Sequence, residues 1–166
     1  MNALFIGRFQ PFHNGHLLFL QHICNQYDEI IIGIGSSQYS HTSDNPFSYD
    51  ERKRMIESSL KEAGIRNFRI VAIPDIHNPP QWVSHVVSLV DDFDVILTNN
   101  SFTKQLFEEK GYIVKKTSLI EREKYSGAHI RKQMKENTSW ENLVPEPVVT
   151  ILHDIHGIKR VQQISE

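Results

Sequence analysis

The sequence predicts an α/β protein in which a parallel five-stranded sheet carries helices on both faces. Short apolar runs bounded by Gly or Pro are typical of buried strands, and they alternate with longer stretches of apolar residues at helical spacing. The length of 166 residues suits one domain. Because strands alternate with helices, right-handed crossovers and a Rossmann-like, doubly wound sheet are expected.

The individual elements follow from these runs. Strands are predicted at 3–6, 29–35, 68–73, 94–97 and 112–114. Helices are predicted at 14–27, 50–63, 82–90, 102–109, 128–136 and 147–155, with Asn14 as the first N-cap, and with Gly64 and Gly157 ending the second and last helices. The tail 158–164 is either an edge strand or a helix. We expect a single domain, 1–166, with a Rossmann-like core at 1–120 and, at 121–166, a second phosphate motif and a helical C-terminal extension.

Composition excludes several classes of function. The 18 Lys and Arg residues are outnumbered by 20 Asp and Glu residues, which argues against a general nucleic-acid binder. One cysteine, Cys24, allows neither an internal disulfide nor a Cys-rich zinc site. The sequence has no basic leader and no apolar stretch near the ~20 residues that span a membrane. We therefore expect a cytoplasmic protein that binds neither nucleic acid nor membrane.

The segment GRFQPFHNGH, from Gly7 to His16, lies where the first strand ends and the first helix begins. The free N–H groups and dipole of a helix N-terminus favour an anion. Gly7 permits close approach of a ligand, Arg8 supplies a planar cation, and His13 and His16 share one helix face. The segment predicts a cradle for a phosphate chain; the alternative is a loop with two solvated histidines.

A second segment, YSGAHIR, has the same ingredients. Ser126 is a candidate N-cap followed by Gly127, Arg131 lies one turn into the predicted helix, and Arg122 and Tyr125 precede it. The alternative for this segment alone is a capped surface helix. Because the first segment also predicts a phosphate cradle, the two segments together favour phosphate binding over this alternative.

Other motifs are rejected. Position 38 is Gln, so the pair around Ile34 lacks the third Gly of a dinucleotide fingerprint, and no Walker A or Gly-x-Ser-x-Gly motif occurs. His13 and His16 lack a nearby third metal ligand. His153 and His156 lie at a helix end, where imidazoles cap carbonyls. No metal site made of protein side chains is predicted.

The two phosphate segments resemble the His-x-Gly-His signature and the second signature of the nucleotidylyltransferase superfamily. The particular form, with GRFQPF, is similar to the archaeal-type nicotinamide-nucleotide adenylyltransferases. The similarity continues in order through GSSQ at 35–38, NPF at 45–47, ER at 51–52, PDI at 74–76 and WV at 82–83. It implies transfer of an adenylyl group from ATP to nicotinamide mononucleotide (NMN), giving NAD and pyrophosphate.

The resemblance also implies site residues. It places the catalytic charge stabilisation on His13, His16, Arg8 and Arg131. The implied ATP site comprises Gly7, Arg8, Phe9, His13, His16, Asn99, Arg122, Tyr125, Ser126, Gly127 and Arg131. Mg²⁺ is expected to be held mainly by the ATP phosphates. Self-association, as a hexamer or dimer, is implied by the family alone.

The implied acceptor site comprises Ile6, Gly35, Ser36, Arg52, Asp75, Ile76 and Trp82. Trp82 is either a stacking platform for the nicotinamide ring or a core residue. Arg52 either contacts the acceptor phosphate or pairs with acidic neighbours on its own helix.

Two residues depart from the family pattern. Ala128 stands where Thr is usual, and Asp44 stands where a basic residue is common. The second departure bears on the acceptor, since an acid does not hold a phosphate. Other acceptors therefore stay open, namely phosphopantetheine, FMN, a polyol phosphate with CTP, or the acid analogue of NMN. A nucleotide-sensing module without turnover is the non-enzymatic alternative.

Overall fold

A five-stranded parallel sheet forms the centre of the protein. The computed structural model describes residues 1–117 and 123–164. The strands are β1 Asn2–Gly7, β2 Glu29–Gly35, β3 Phe68–Ile73, β4 Val95–Leu97 and β5 Ile113–Lys115, in the order β3-β2-β1-β4-β5. The predicted parallel sheet is confirmed. The strand order reverses between β1 and β4, and ligands of such sheets bind beyond the strand ends at this point.

Seven α-helices occur in the described residues: α1 Asn14–Ile23, α2 Tyr49–Glu62, α3 Trp82–Leu89, α4 Ser101–Glu109, α5 Gly127–Glu136, α6 Glu146–Asp154 and α7 Gly157–Gln163. Short 3₁₀ turns lie at Cys24–Gln26, Pro79–Gln81 and Glu141–Leu143. No described helix is long and apolar enough to cross a membrane.

Three predictions about helix ends are wrong. Asn14 is not the first N-cap, because the His13 side chain accepts a hydrogen bond from the His16 N–H and takes that place. The first helix ends at Ile23, where a 3₁₀ turn replaces its predicted last turn. Gly157 begins α7, so the tail is a helix and the strand alternative is excluded.

The two sheet faces bury different helices because successive strand side chains point to opposite sides. Leu4 packs with apolar residues of α3 and α4. Ala3 and Phe5 pack on the other face with α1, α2 and the three C-terminal helices. The layered, doubly wound fold is therefore confirmed.

Besides apolar packing between α2 and α6, one arginine links the C-terminal helices to α2. Arg160 of α7 donates to both carboxylate oxygens of Glu51, at 2.6 and 2.8 Å, and to the Pro46 carbonyl at 3.1 Å. Glu51 also accepts from the Ser48 N–H in a capping box. Burial raises the pKa of Glu51, but the bonds from Arg160 and Ser48 outweigh it and lower that pKa. The tail thus has a structural role.

Candidate active site

The two predicted phosphate segments lie against each other. Arg131 of α5 donates from Nη1 to the Gln10 carbonyl at 3.0 Å. A Cβ on Gly15 would lie 2.9 Å from the Tyr125 Cβ, so only glycine allows this approach. The rings of His13 and Tyr125 stack with centroids 6.4 Å apart. The segments therefore build one site, although more than 100 residues separate them in the chain.

His13 and His16 form a reciprocal cap at the start of α1. The His13 Nδ1 accepts from the His16 N–H at 3.3 Å, and the His16 Nδ1 accepts from the His13 N–H at 3.1 Å. Because a backbone N–H only donates, neither Nδ1 carries a proton. The proton of each neutral ring is therefore on Nε2. Each ring offers one N–H donor to a ligand.

Packing holds both imidazoles neutral. Their rings stack at 3.5 Å between centroids, and the His16 ring also contacts Phe5, Phe9 and Phe12. Burial lowers the pKa of His13 to about 4. Burial, and then the neighbouring His13, lower the pKa of His16 well below its usual value. At neutral pH the pair therefore consists of two uncharged donors.

A cavity of about 330 Å³ opens over this pair at the carboxyl ends of β1 and β4. Its lining includes eight residues predicted for the nucleotide or acceptor sites: Ile6, Gly7, His13, His16, Asn99, Tyr125, Ser126 and Gly127. Ser126 is the N-cap of α5, accepting from the His129 N–H at 3.2 Å, so the prediction of this cap is confirmed. The positive end of the α5 dipole therefore lies at the cavity wall.

Phe9 and the predicted cations lie around the cavity but do not all line it. Phe9 is buried with its ring against Gly7 and His16. Arg8 is exposed at the edge. Arg131 lines an adjoining groove, and Arg122 lies outside the described residues.

Gly127 and Asp44 both lie close to the guanidinium of Arg131. A Cβ on Gly127 would lie 2.7 Å from its Nη1, so this glycine makes room for it. The Asp44 carboxylate lies 4.0 Å from its Nη2. Burial and then Arg8 lower the pKa of Arg131, and Asp44 opposes them. The family departure at Asp44 thus places an acid beside a predicted phosphate ligand.

A second cavity, of about 250 Å³, lies between the loop after β3 and the start of α4. Three predicted acceptor residues line it, namely Asp75, Ile76 and Trp82. Trp82 is half-buried, with one part of the side chain packed on the core of α3. It therefore combines both alternatives, a core contact and an exposed aromatic surface.

Side-chain hydrogen bonds join the loop after β2 to the loop after β3. The Ser36 hydroxyl donates to the Asp75 carboxylate at 2.7 Å. Gln38 donates to the Asp75 carbonyl and accepts from its N–H. The Tyr39 hydroxyl and His77 Nε2 are 2.7 Å apart. Ser36 therefore lies beside Asp75, which lines the second cavity, but Gly35 and Ser36 are not among the residues that line it. The Asp75 carboxylate accepts its hydrogen bond from the neighbouring loop.

Both alternatives for Arg52 are wrong. Its side chain has no exposed surface, and its N–H groups donate to backbone carbonyls of residues 8, 35, 36, 39 and 48. No donor remains for an acceptor phosphate in this arrangement. Its helix neighbour Glu51 pairs with Arg160 instead.

Sequence reasoning missed the wall of the second cavity that α4 supplies. Phe102, which is 54% exposed, and Leu106 face Trp82 across the space. Asn100 caps α4 through a bond from Thr103 and lines both cavities. The dipeptide Asn99-Asn100 after β4 was the available signal. The sequence does not indicate that α3 and α4 lie on opposite sides of one cavity.

The described residues contain no group of three or more His, Cys, Asp or Glu side chains placed to hold a metal ion. The donors at the main cavity are N–H groups, which bind anions.

Comparison with known proteins gives consistent results. A family model described as cytidylyltransferase-like matches residues 4–133. Nicotinamide-nucleotide adenylyltransferases from Picrophilus torridus and Methanococcus maripaludis are 45% and 48% identical over 166 residues, covering all of this chain and 98% and 96% of theirs. That of Thermoplasma acidophilum is 46% identical over 98% of this chain and 91% of its own.

Solved structures share the fold. A bifunctional NMN adenylyltransferase/ADP ribose pyrophosphatase from Francisella tularensis, complexed with AMP and a manganese ion, superposes with a TM-score of 0.79 at 22% identity. The match covers 96% of this chain and 51% of that one, so this chain spans about half of the bifunctional protein. A putative nicotinate-nucleotide adenylyltransferase from Vibrio parahaemolyticus gives 0.69 at 14% identity, with 96% and 94% covered. The chain belongs to the cytidylyltransferase-like family and, within it, to the nicotinamide-nucleotide adenylyltransferases.

Proposed function

We propose that the chain, as one domain over residues 1–166, transfers the adenylyl group of ATP to NMN. The observation that carries this proposal is the pair of cavities that meet at Asn100. One is lined by two imidazoles and a helix N-terminus, and the other by aromatic side chains. A triphosphate suits the first cavity and a flat ring the second. The full-length relatives named for NMN indicate which ring it is.

The reaction needs no nucleophile from the protein. A phosphate oxygen of NMN attacks the α-phosphorus of ATP in line, and the bond from that phosphorus to the bridging β-oxygen breaks. NAD retains the new phosphoanhydride, and pyrophosphate leaves with the bonding electron pair. Positioning and stabilisation of the developing charge are the protein's main contributions.

The neutral Nε2–H of His16 suits the α-phosphate, because it donates a hydrogen bond without needing to lose a proton. His13 supports it by fixing its ring and offers a second donor. Ser126 and the first amides of α5 bind the outer phosphates. Arg8 and Arg131 stabilise the leaving pyrophosphate, Arg131 after exchanging its Asp44 contact for phosphate.

A divalent cation, Mg²⁺ by preference, is proposed to offset the phosphate charge. It would be held mainly by the ATP phosphates, which agrees with a cavity whose donors favour anions. When bound, it would supply charge compensation for the attacking and leaving phosphates. Chelation with EDTA is expected to abolish turnover, and added Mg²⁺ to restore it. Turnover that survives chelation would contradict this.

The primary test is pyrophosphate release from ATP with a panel of acceptors: NMN, its acid analogue, phosphopantetheine, FMN and, with CTP, glycerol phosphate. Release with NMN, and NAD as the product, is the expected result. Release only with another acceptor would overturn the assignment of the second cavity. ATP binding without release for every acceptor would indicate a nucleotide sensor.

We further propose that the enzyme acts in the cytoplasm and self-associates. The support is the resemblance to its family. Light scattering coupled to gel filtration tests the second point, and a monomeric mass would contradict it.

A further inference from the structure

One buried side chain joins the two substrate ends of the protein. Arg52 in α2 donates to the carbonyl of Arg8, in the loop after β1, at 2.9 Å. It also donates to the carbonyls of Gly35 at 2.9 Å, Ser36 at 3.2 Å and Tyr39 at 3.5 Å, all at the end of β2 or just after it. The first loop belongs to the proposed nucleotide site and the second to the acceptor site. The Arg52 guanidinium therefore donates hydrogen bonds to both loops.

Two of the Arg52 hydrogen bonds lie next to residues whose backbone φ is positive. Phe9 has φ of 53° and Ser36 has φ of 48°, both in the left-handed region. Non-glycine residues hold such conformations only where surrounding contacts enforce them. Arg52 binds the carbonyl directly before each of these residues. A planar peptide then fixes the following N–H as well, so both turns depend on the same side chain.

In the described part of the chain, Arg52 forms no direct ion pair with a carboxylate, although Glu51 is near enough to raise its pKa. Its hydrogen bonds go to backbone carbonyls, and the ion pairs of Asp44 and Glu51 go to other arginines. Burial and then Arg8 lower the pKa of Arg52 to about 10, with Glu51 and Tyr49 opposing them, so it stays charged at neutral pH. A buried cation that forms no direct ion pair is costly. Polyanionic substrates above it would offset that cost.

We propose that Arg52 is a positioning residue that couples the two substrate sites, so that occupancy of one loop improves binding at the other. The inference rests on the proposed function. A ligand that orders the loop after β1 also orders the Arg52 guanidinium bonded to it. Through the other bonds of that guanidinium, the ligand orders the loop after β2. The second substrate then loses less conformational freedom on binding. By linkage the effect is reciprocal.

The test measures coupling directly. The Kd of NMN is determined by calorimetry with and without saturating α,β-methylene-ATP, whose α–β bridge cannot be cleaved. We expect the analogue to tighten NMN binding at least threefold in the wild-type protein. In Arg52→Lys this ratio should fall towards one, because an ammonium keeps the charge but cannot span carbonyls of both loops.

Arg69→Lys is the control. Arg69 is a half-buried arginine of β3 that donates to Glu29 at 2.8 Å and also to Asp92, and it contacts neither substrate loop. We expect this variant to melt at a lower temperature while keeping the wild-type coupling ratio. A general loss of stability in Arg52→Lys would therefore not explain a lost ratio.

A wild-type measurement covers the case in which Arg52→Lys does not fold. The buried Arg52 Nε–H should give an NMR signal that shifts when either ligand is added alone. The Arg69 Nε–H, bonded to Glu29 away from both cavities, serves as reference. If neither NMN nor α,β-methylene-ATP binds, the proposed function is overturned. Binding of both without coupling, coupling that survives in Arg52→Lys, or an Arg52 signal that responds to one ligand only would overturn this inference alone.

Discussion

The proposed nucleotide end and the proposed acceptor end of the site are built in different ways. At the nucleotide end, His13 and His16 are three residues apart and fix each other through backbone bonds inside a packed aromatic cluster. At the acceptor end, Ser36 and Asp75 are 39 residues apart, and several of the bonds between their loops are exposed. The first end is therefore preorganised by local sequence. The second depends on how two loops meet.

Acidification should lower the free energy of unfolding, because His13 is buried in its neutral form. The folded pKa of His13, about 4, lies below its unfolded value of 6.5, so the unfolded chain takes up a proton first as pH falls. Stability is fully present above pH 6.5 and declines towards pH 4. The loss is about 3 kcal/mol.

Urea unfolding at pH 6.5 and pH 4, in the wild type and in His13→Gln, isolates this contribution. The variant should lose less unfolding free energy between the two pH values. Parallel losses in both proteins would contradict it.

His16→Ala should slow turnover by ~10²-fold or more, since the donor to the α-phosphate acts mainly in the transition state. ATP affinity should change less. His16→Gln, which restores an N–H near the Nε2 position, should recover part of kcat. His22→Ala, an exposed histidine on the same helix, is the control. An unchanged kcat in His16→Ala would remove this role.

Trp82→Ala and Phe102→Ala should each raise the KM for NMN about tenfold and leave the KM for ATP nearly unchanged, because aromatic contacts contribute about 1 kcal/mol beyond area. Steady-state kinetics with each substrate varied measures the split. Leu89→Ala, also exposed on α3, should change neither constant. If the KM for NMN and the KM for ATP rose equally in Trp82→Ala and Phe102→Ala, these rings would support the whole fold instead.

Asp44→Asn should tighten ATP binding by at most about fivefold, because a pair with such an exposed carboxylate is worth at most ~1 kcal/mol. The gain should shrink as salt rises, since exposed charges are screened. Calorimetric titration at low and high ionic strength measures it, with Ser43→Ala as the control. Weaker ATP binding in Asp44→Asn would show that this acid assists the site.

The accuracy of sequence reasoning followed the same division. The strands, the Ser126 cap and the clustering of His13 and His16 were predictable because each depends on residues within a few positions. Arg52 was misassigned because its bonding partners come from three stretches of the chain, at residue 8, at residues 35–39 and at residue 48. Gly157 was misread because a glycine marks a chain reversal without saying whether a helix ends or starts there.

The sequence by itself determined the layered fold and the composition of the phosphate cradle, since hydrophobic periodicity and helix caps are local. Only the tertiary structure decided which Nε2–H groups the imidazoles present, how far Asp44 lies from Arg131, and where the Phe102 wall stands. These depend on burial and on distances between segments, and the order of residues along a chain does not contain those quantities directly.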